Sequence, residues 1–209
     1  MNRLWDEAFA AFGLNPTETQ RRQLIQYTAE LQSVNRKLNL VRAADEGTLL
    51  RRHLFDALAG LPVLGTAGPE TAADVGSGCG IPGIPLAVFW TNTRMTLIER
   101  SAKRASFLSY AAAVCGLSDR VTVENRDLKE LNREFDLVTF RAFRQFDEFI
   151  APLLKITKPG GLIAAYKGTE ESVRGDLNTS AVALPTAEIK IIKNPFYEAE
   201  RRLLLIRKI

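Results

Sequence analysis

The chain has 209 residues, 46% of them hydrophobic and 25% charged, with a formal net charge of +4. That length fits one domain with at most an appendage, and the composition excludes a disordered chain, a collagen and a disulfide scaffold. The charge is mildly basic and does not by itself specify nucleic acid; residues 190–209, with six cations and two carboxylates, carry all of the excess, and arginine outnumbers lysine 19 to 9.

The opening Met1-Asn2-Arg3-Leu4-Trp5-Asp6-Glu7 lacks the basic-then-apolar order of a secretory signal. Residues 1–60 read as a helical N-terminal cap. Thr17 and Gln20, after Pro16, fit a capping box. Leu24, Tyr27, Leu31, Val34 and Leu38 then recur at three- and four-residue spacing, the mark of an amphipathic helix. A second helix is expected from about Glu46 to Ala59, with Pro62 ending it or capping the next segment.

From Thr71 the pattern changes to short apolar runs alternating with helical stretches, the sign of βαβ units. Strands are predicted at Thr71–Val75, Arg94–Glu99, Val121–Glu124, Phe135–Phe140 and Gly161–Tyr166. Helices are predicted near Pro82–Trp90, Ala102–Cys115 and Asp147–Ile156. Glu188–Lys193 and Arg202–Lys208 read as two final strands around Asn194-Pro195. The expected architecture is one α/β domain over residues 61–209, Rossmann-like and mostly parallel, with an antiparallel final strand. The longest apolar stretch, Ile81 to Trp90, holds two prolines and a glycine and is too short to span a bilayer. Cys79 and Cys115 are too few for a zinc site. A cytoplasmic monomer without metal or membrane span is therefore expected.

The segment Ala73-Asp74-Val75-Gly76-Ser77-Gly78-Cys79-Gly80-Ile81-Pro82-Gly83-Ile84-Pro85 comes after one predicted strand and opens a helix. Glycines there let the backbone turn sharply and approach a ligand. Gly78-x-Gly80-x-x-Gly83 formally matches a dinucleotide fingerprint. The acid two residues before Gly76 favours a different reading, the loop of class I S-adenosylmethionine (SAM) methyltransferases. Asp74 would accept from the SAM amino group or order the loop, and Gly76, Gly78 and Gly80 would leave room for the ligand. A second acid should end the next strand about 20 residues on and hold the ribose hydroxyls. Glu99, 23 residues after Gly76, answers to that, or else pairs with Arg100 or Lys103. Asp127 and Leu128, after the third strand, are candidates for the adenine; Asp127 is equally suited to a helix N-cap.

The segment at the end of the fourth strand narrows the acceptor. Val138-Thr139-Phe140-Arg141-Ala142-Phe143 lacks the Asp/Asn-Pro-Pro-Tyr/Phe of enzymes that methylate exocyclic amines. Neither cysteine stands where pyrimidine C5 methylation needs its nucleophile. An arginine at this place suits an anionic or π-rich acceptor such as RNA.

With these motifs the chain resembles the bacterial 16S ribosomal RNA (guanine-N7) methyltransferases, the RsmG or glucose-inhibited division protein B family. Asn39-Leu40, Arg52-His53-Leu54-Phe55-Asp56 and the extended loop from Asp74 to Leu86 carry the resemblance. Lys103-Arg104-Ala105-Ser106-Phe107-Leu108, Arg141-Ala142, Lys167-Gly168 and Glu200-Arg201 extend it over nearly the whole chain. Ala57, Cys79, Ile81 and Val41 depart from the common pattern. The resemblance implies a class I methyltransferase fold with an N-terminal helical cap, SAM as cofactor, and transfer to the guanine at position 527 of 16S rRNA in the small ribosomal subunit. It implies cofactor contacts from Gly76, Ile81, Asp127, Leu128 and Arg141. It also implies a pocket lined by Arg126, Arg141 and Arg201 and faced by His53, whose alternative partner is Asp56.

Guanine N7 carries a lone pair and no proton, so no general base is required, and catalysis is expected to be mostly positioning. Phe143 or Phe146 would stack on the base or belong to the core, and Lys167 would touch phosphate or be a solvated strand-end lysine. Arg52, Arg126, Arg141 and Arg201 are expected to meet around one acceptor site. The rival readings are a nicotinamide-dependent reductase, against which no Tyr-x-x-x-Lys occurs near the fourth strand, a non-catalytic SAM-binding or RNA-binding regulator, and a methyltransferase of another RNA, a small molecule or a protein.

Overall fold

A seven-stranded sheet organises the chain, and the computed structural model describes residues 2–141, 146–179 and 186–209 of it. The strands are β1 (Thr71–Val75), β2 (Arg94–Ile98), β3 (Val121–Glu124), β4 (Phe135–Arg141), β5 (Thr157–Lys167), β6 (Ala187–Ile192) and β7 (Arg201–Arg207). Their order is β3-β2-β1-β4-β5-β7-β6. The first five run parallel. β7 inserts antiparallel between β5 and β6; the antiparallel pair is the one the two apolar runs around Asn194-Pro195 predict, and the structure adds the place of β7 inside the sheet. Gly161 needs its missing side chain, because a Cβ there would lie 2.8 Å from the Lys158 carbonyl.

Alternation along each strand divides the sheet between two cores, since neighbouring side chains point to opposite faces. Ala72, Met95, Leu97 and Leu137 pack with one cluster, Ala73, Val75, Ile98 and Val138 with the other. The first cluster takes in α1 (Asn2–Ala11), α2 (Glu18–Leu38), α4 (Phe55–Ala59), α6 (Gly83–Phe89) and α7 (Ala102–Val114). The second takes in α8 (Phe146–Lys155) and, through Val173, α9 (Glu170–Thr179). Between α2 and α4 lie α3 (Glu46–Leu49) and a wide turn, Leu50–Leu54; α5 (Leu61–Leu64) comes after α4. α9 has no counterpart among the predicted elements.

Thr17 caps α2 as the sequence predicts: its hydroxyl accepts from the Gln20 N–H, and the Gln20 side chain accepts from the Thr17 N–H at 2.8 Å. The helix ends at Asn39, which takes a left-handed conformation at φ 48°. The expected helix 46–59 differs in one respect. Within Leu50–Leu54 the hydrogen bonding widens, so that the Phe55 N–H reaches the Leu50 carbonyl five residues back, a turn type frequent at functional sites.

Candidate active site

The parallel strands β1 to β4 all point their carboxyl ends at one cavity of about 450 Å³. β1 and β4 are neighbours although they are not consecutive, and ligands in open α/β sheets bind where the strand order reverses in this way. The loop after β1 contributes Gly76, Ser77, Gly78, Cys79 and Ile81 to the wall. Ile98, Glu99 and Arg100 come from the end of β2, Arg126, Asp127 and Leu128 come after β3, and Arg141 closes β4.

The glycine loop is shaped by its backbone. Gly76 and Gly78 sit at φ 65° and 57°, a region side chains disfavour. The N–H groups of Gly76 and Ser77 both donate to the Ile98 carbonyl, at 2.9 and 3.1 Å. Glu99, only 4% exposed, accepts from the Gly78 N–H and the Ser101 N–H, each at 2.9 Å. Its partners are thus loop amides rather than Arg100 or Lys103, while its carboxylate still borders the cavity. Asp127 combines both of its expected placements: Oδ1 accepts from the Lys129 N–H at 3.0 Å as a cap, and the residue lines the wall.

Asp74 lies beneath the wall and is not part of it. Its Oδ2 accepts from the Gly83 N–H at 3.1 Å, while Oδ1 is buried without a hydrogen-bond partner. Burial drives its carboxyl up to about 7, against the Gly83 hydrogen bond that favours the charged form. Of the two roles expected for Asp74, loop ordering is the one its contacts serve. A Cβ on Gly83 would meet Asp74 Oδ2 at 2.6 Å, so this glycine makes the close approach possible. Gly80 likewise stands behind the wall, where a Cβ would press on Ile84 at 2.7 Å.

The segment after α2 supplies the opposite wall. The Asn35 side chain both donates to the Val41 carbonyl and accepts from its N–H, at 2.9 and 2.8 Å. This holds Leu40 and Val41 against the cavity. The Tyr27 hydroxyl donates to the Cys79 carbonyl at 2.7 Å, tying α2 directly to the glycine loop.

Arg141 reaches out of β4 to His53. Its guanidinium donates to the His53 carbonyl at 3.2 Å and, more closely, to Nδ1. Arginine can only donate, so Nδ1 must carry the lone pair and Nε2 the proton; Nε2 in turn donates to the Arg42 carbonyl at 3.0 Å. Burial, then the neighbouring Arg141 charge, pushes the imidazole down to about 4, with Arg52 and Arg201 adding to the same field. His53 is a neutral, fully engaged ring behind Arg141 and is not itself a wall residue.

Asp56 does not pair with His53. It accepts from Arg201 Nε and from Asn194 Nδ2, and so binds α4 to the start of β7. Arg201 lies over the Tyr197 ring at 4.8 Å and Arg52 at 5.8 Å. The four arginines expected to meet are therefore divided: Arg126 and Arg141 line the cavity, Arg52 and Arg201 flank Tyr197. Lys167 is neither a solvated strand-end lysine nor on the cavity wall. It is 8% exposed, with Nζ 5.2 and 5.8 Å from the Phe146 and Phe140 rings. Phe146 is core, and Phe143 falls outside the described residues. The aromatic on the wall is Phe149, one turn further along α8. The helical spacing of Phe146 and Phe149 was visible in the sequence, as was Asn39 at a helix end; neither marked its neighbours as wall residues. Arg100 and Arg104 were also missed as wall residues. Among the described residues no group of three or more His, Cys, Asp or Glu is placed to hold a metal, and no helix is long and apolar enough to cross a membrane.

The residues suit SAM. A nucleoside-sized cavity has a glycine cradle on one side, an acid at the β2 end for a ribose diol, and apolar Val75, Ile81, Ile98 and Leu128 for a purine. The fold agrees. An O-methyltransferase from Thermotoga maritima, SAM-dependent, superposes with a TM-score of 0.57 at 18% identity, covering 74% of this chain and 64% of that one. A tRNA (m1A58) methyltransferase from Aquifex aeolicus gives 0.57 at 15% identity over 73% and 66%. Sheet, glycine loop and paired acids together define a class I SAM-dependent methyltransferase fold.

The family model described as rRNA small subunit methyltransferase G (GidB) matches residues 20–203. Ribosomal RNA small subunit methyltransferase G of Neisseria meningitidis serogroup C is 32% identical over 199 residues, 95% of this chain and 94% of its own. That of Borrelia garinii subsp. bavariensis is 31% identical over 182 residues, 86% of each. The chain belongs to the rRNA small subunit methyltransferase G family, which sets aside the nicotinamide reading.

Proposed function

We propose that this protein methylates N7 of a guanine in 16S rRNA, the one at position 527, using SAM, and that it works as a cytoplasmic monomer on the small ribosomal subunit. The observation that carries the choice of atom is that the described wall holds no histidine and that its one thiol is raised by burial. His53 stands behind the wall with both ring nitrogens engaged, Glu99 accepts from two loop amides, Asp127 Oδ1 caps the turn at Lys129, and burial raises the Cys79 thiol. Guanine N7 needs no deprotonation, whereas an exocyclic amine or a C5 carbon needs a base or a thiolate. The bound sulfonium supplies an electrophilic methyl group.

In this reading Gly76, Gly78 and Ile81 cradle the cofactor, Glu99 takes its ribose hydroxyls, and Asp127 and Leu128 take its adenine. Asp74 and Gly80 keep the loop in shape. Arg141, fixed by His53, donates to guanine O6, as arginine does to guanine elsewhere, and Phe149 stacks on the base. Arg126 borders the same space, while Arg201 acts at one remove by holding α4 and Tyr197. Residues 1–60 serve as a cap on the methyltransferase domain of residues 61–209, fixing the glycine loop through Tyr27.

The test incubates the protein and labelled SAM with small subunits from cells lacking the activity, then maps the modified base. Label on N7 of that guanine is expected. Label on an exocyclic amine, on another RNA or only on a small molecule would overturn the reading.

A further inference from the structure

We propose that six cations, Arg100 and Arg104 on the cavity wall, Lys37, Arg42 and Lys103 beside it, and Arg36 in the adjoining pocket of Asn35 and Ala43, form a docking track for the sugar-phosphate backbone of the acceptor RNA. The inference rests on the proposed function and adds where the polymer lies while the base is in the pocket.

Two contacts fix how α2 and α7 run. Gln23 Nε2 donates to the Cys115 carbonyl at 2.9 Å, and the Tyr110 hydroxyl donates to Glu30 at 2.8 Å. The helices are therefore antiparallel neighbours. Seven residues onward in α2 from Glu30 is Lys37, and seven residues back in α7 from Tyr110 is Lys103. At 1.5 Å per residue both lie about 10 Å from that contact, on the same side. The ends converge on the cavity, because Leu40 and Val41 after α2 and Arg100 and Arg104 beside and in α7 line one wall.

All six side chains are exposed, and none has a hydrogen bond or ion pair among the described residues. Most other arginines are occupied. Arg126 and Arg133 share Glu124, Arg201 holds Asp56, and Arg202 holds Glu170 and Glu200. The closing strands that carry the sequence's charge excess are thus largely neutralised, whereas these six cations form a cluster of unpaired charge beside the cavity.

A second feature points the same way. The first turn of α7 holds no acidic residue, yet Lys103 and Arg104 stand there, against the positive end of the helix dipole. The Glu99 carboxylate, which accepts from the Ser101 N–H at the helix start, offsets only part of that field. An anion over this turn meets side-chain cations at the positive end of a helix, and a phosphodiester backbone supplies that anion where a neutral partner does not.

The test uses the full chain with Arg36→Gln, Lys37→Gln, Arg42→Gln and Lys103→Gln combined, none of which lines the cavity. The control combines Arg94→Gln and Lys155→Gln, near the amino ends of the strands and so away from the cavity. Direct binding to small subunits and to 16S rRNA is measured against salt, separately from methyl transfer and from SAM calorimetry. The quadruple variant should keep SAM affinity and thermal stability, weaken RNA binding at least tenfold, and flatten the plot of log affinity against log salt by about 3, at roughly 0.7–0.9 per phosphate contact. The control should leave the slope within error of wild type. An unchanged slope in the quadruple variant, or an equal change in the control, overturns the track. The expected slope change between wild type and the quadruple variant, with wild-type protein that transfers no methyl group, overturns the functional reading and leaves the track standing.

Discussion

Arg141 and His53 form a pair in which each determines the other's state. The guanidinium occupies the imidazole lone pair and repels a proton from it, so His53 is held to about 4 by burial and by Arg141. Arg141→Ala removes the group proposed to orient the acceptor. Transfer to rRNA should fall by about 10²-fold or more, the scale of a misplaced reactant, with the near-ultraviolet circular dichroism unchanged. The chain has one histidine, so its imidazole gives a single set of NMR signals; their titration should move upward from about 4 in this variant. An unmoved titration would show that the arginine does not control the ring. Two buried groups also give opposite pH dependences. Unfolded His53 takes its proton near 6.5 and folded His53 near 4, so its contribution to stability is lost as pH falls through that window. Asp74 titrates at about 7 folded against 3.8 unfolded, so its contribution is present at low pH and fades as pH rises to 7. Urea melts between pH 4 and 7 should show His53→Gln losing the first slope and Asp74→Asn the second. Parallel curves for both variants and wild type would exclude these assignments.

At the scale of elements, helix α2 acts as a rod with polar anchors on one face. Gln20, Gln23 and Tyr27 hold carbonyls of residues 88, 115 and 79. Tyr27→Phe leaves the buried Cys79 carbonyl without its donor, a loss of about 1–3 kcal/mol. SAM affinity should fall with it, because that carbonyl belongs to the glycine loop; calorimetry showing unchanged SAM affinity would detach the cap from the site. Asp56→Ala strands the largely buried Arg201 and Asn194, which should reduce stability by about 3–5 kcal/mol, read as a shift in the urea midpoint. A shift below about 1 kcal/mol, the scale of an exposed pair, would mean that Arg201 finds another partner. The elements themselves were legible where the sequence repeats. Thr17 and Gln20 announced the start of α2, and the apolar strands β1 and β3 stand at their predicted bounds. The wide turn at Leu50–Leu54 was not legible, because a five-residue hydrogen bond leaves no periodic signature over one turn. Helix α9 escaped for a related reason: Val173 and Leu177 are its only large apolar positions, too few to establish a period.

At the scale of the whole molecule, motifs marked the strand ends but not the long-range pairings. Gly76, Glu99, Asp127 and Arg141 are recognisable from sequence because each stands just after or at the end of a predicted strand, and the parallel order β3-β2-β1-β4 gathers those ends. No spacing rule foretells that Arg201 pairs with an acid 145 residues away, or that Lys167 is buried against Phe140 and Phe146. The net charge shows the consequence. Counting along the chain assigns the excess to the last twenty residues, yet in space Lys208 meets Glu134 and Arg202 meets Glu170 and Glu200. One cluster of the charge left unneutralised flanks a cavity built by the glycine loop, the acid-bearing strand ends and the segment after α2 at once. A ligand that touches all three must couple them. SAM at about 100 times its dissociation constant should therefore raise global stability by about 2.7 kcal/mol in a single cooperative transition. NADH at the same concentration should produce no shift. A SAM effect confined to one of two separate transitions would show instead that the cap and the sheet domain unfold independently, and that Tyr27 and Asn35 do not carry the coupling assigned to them.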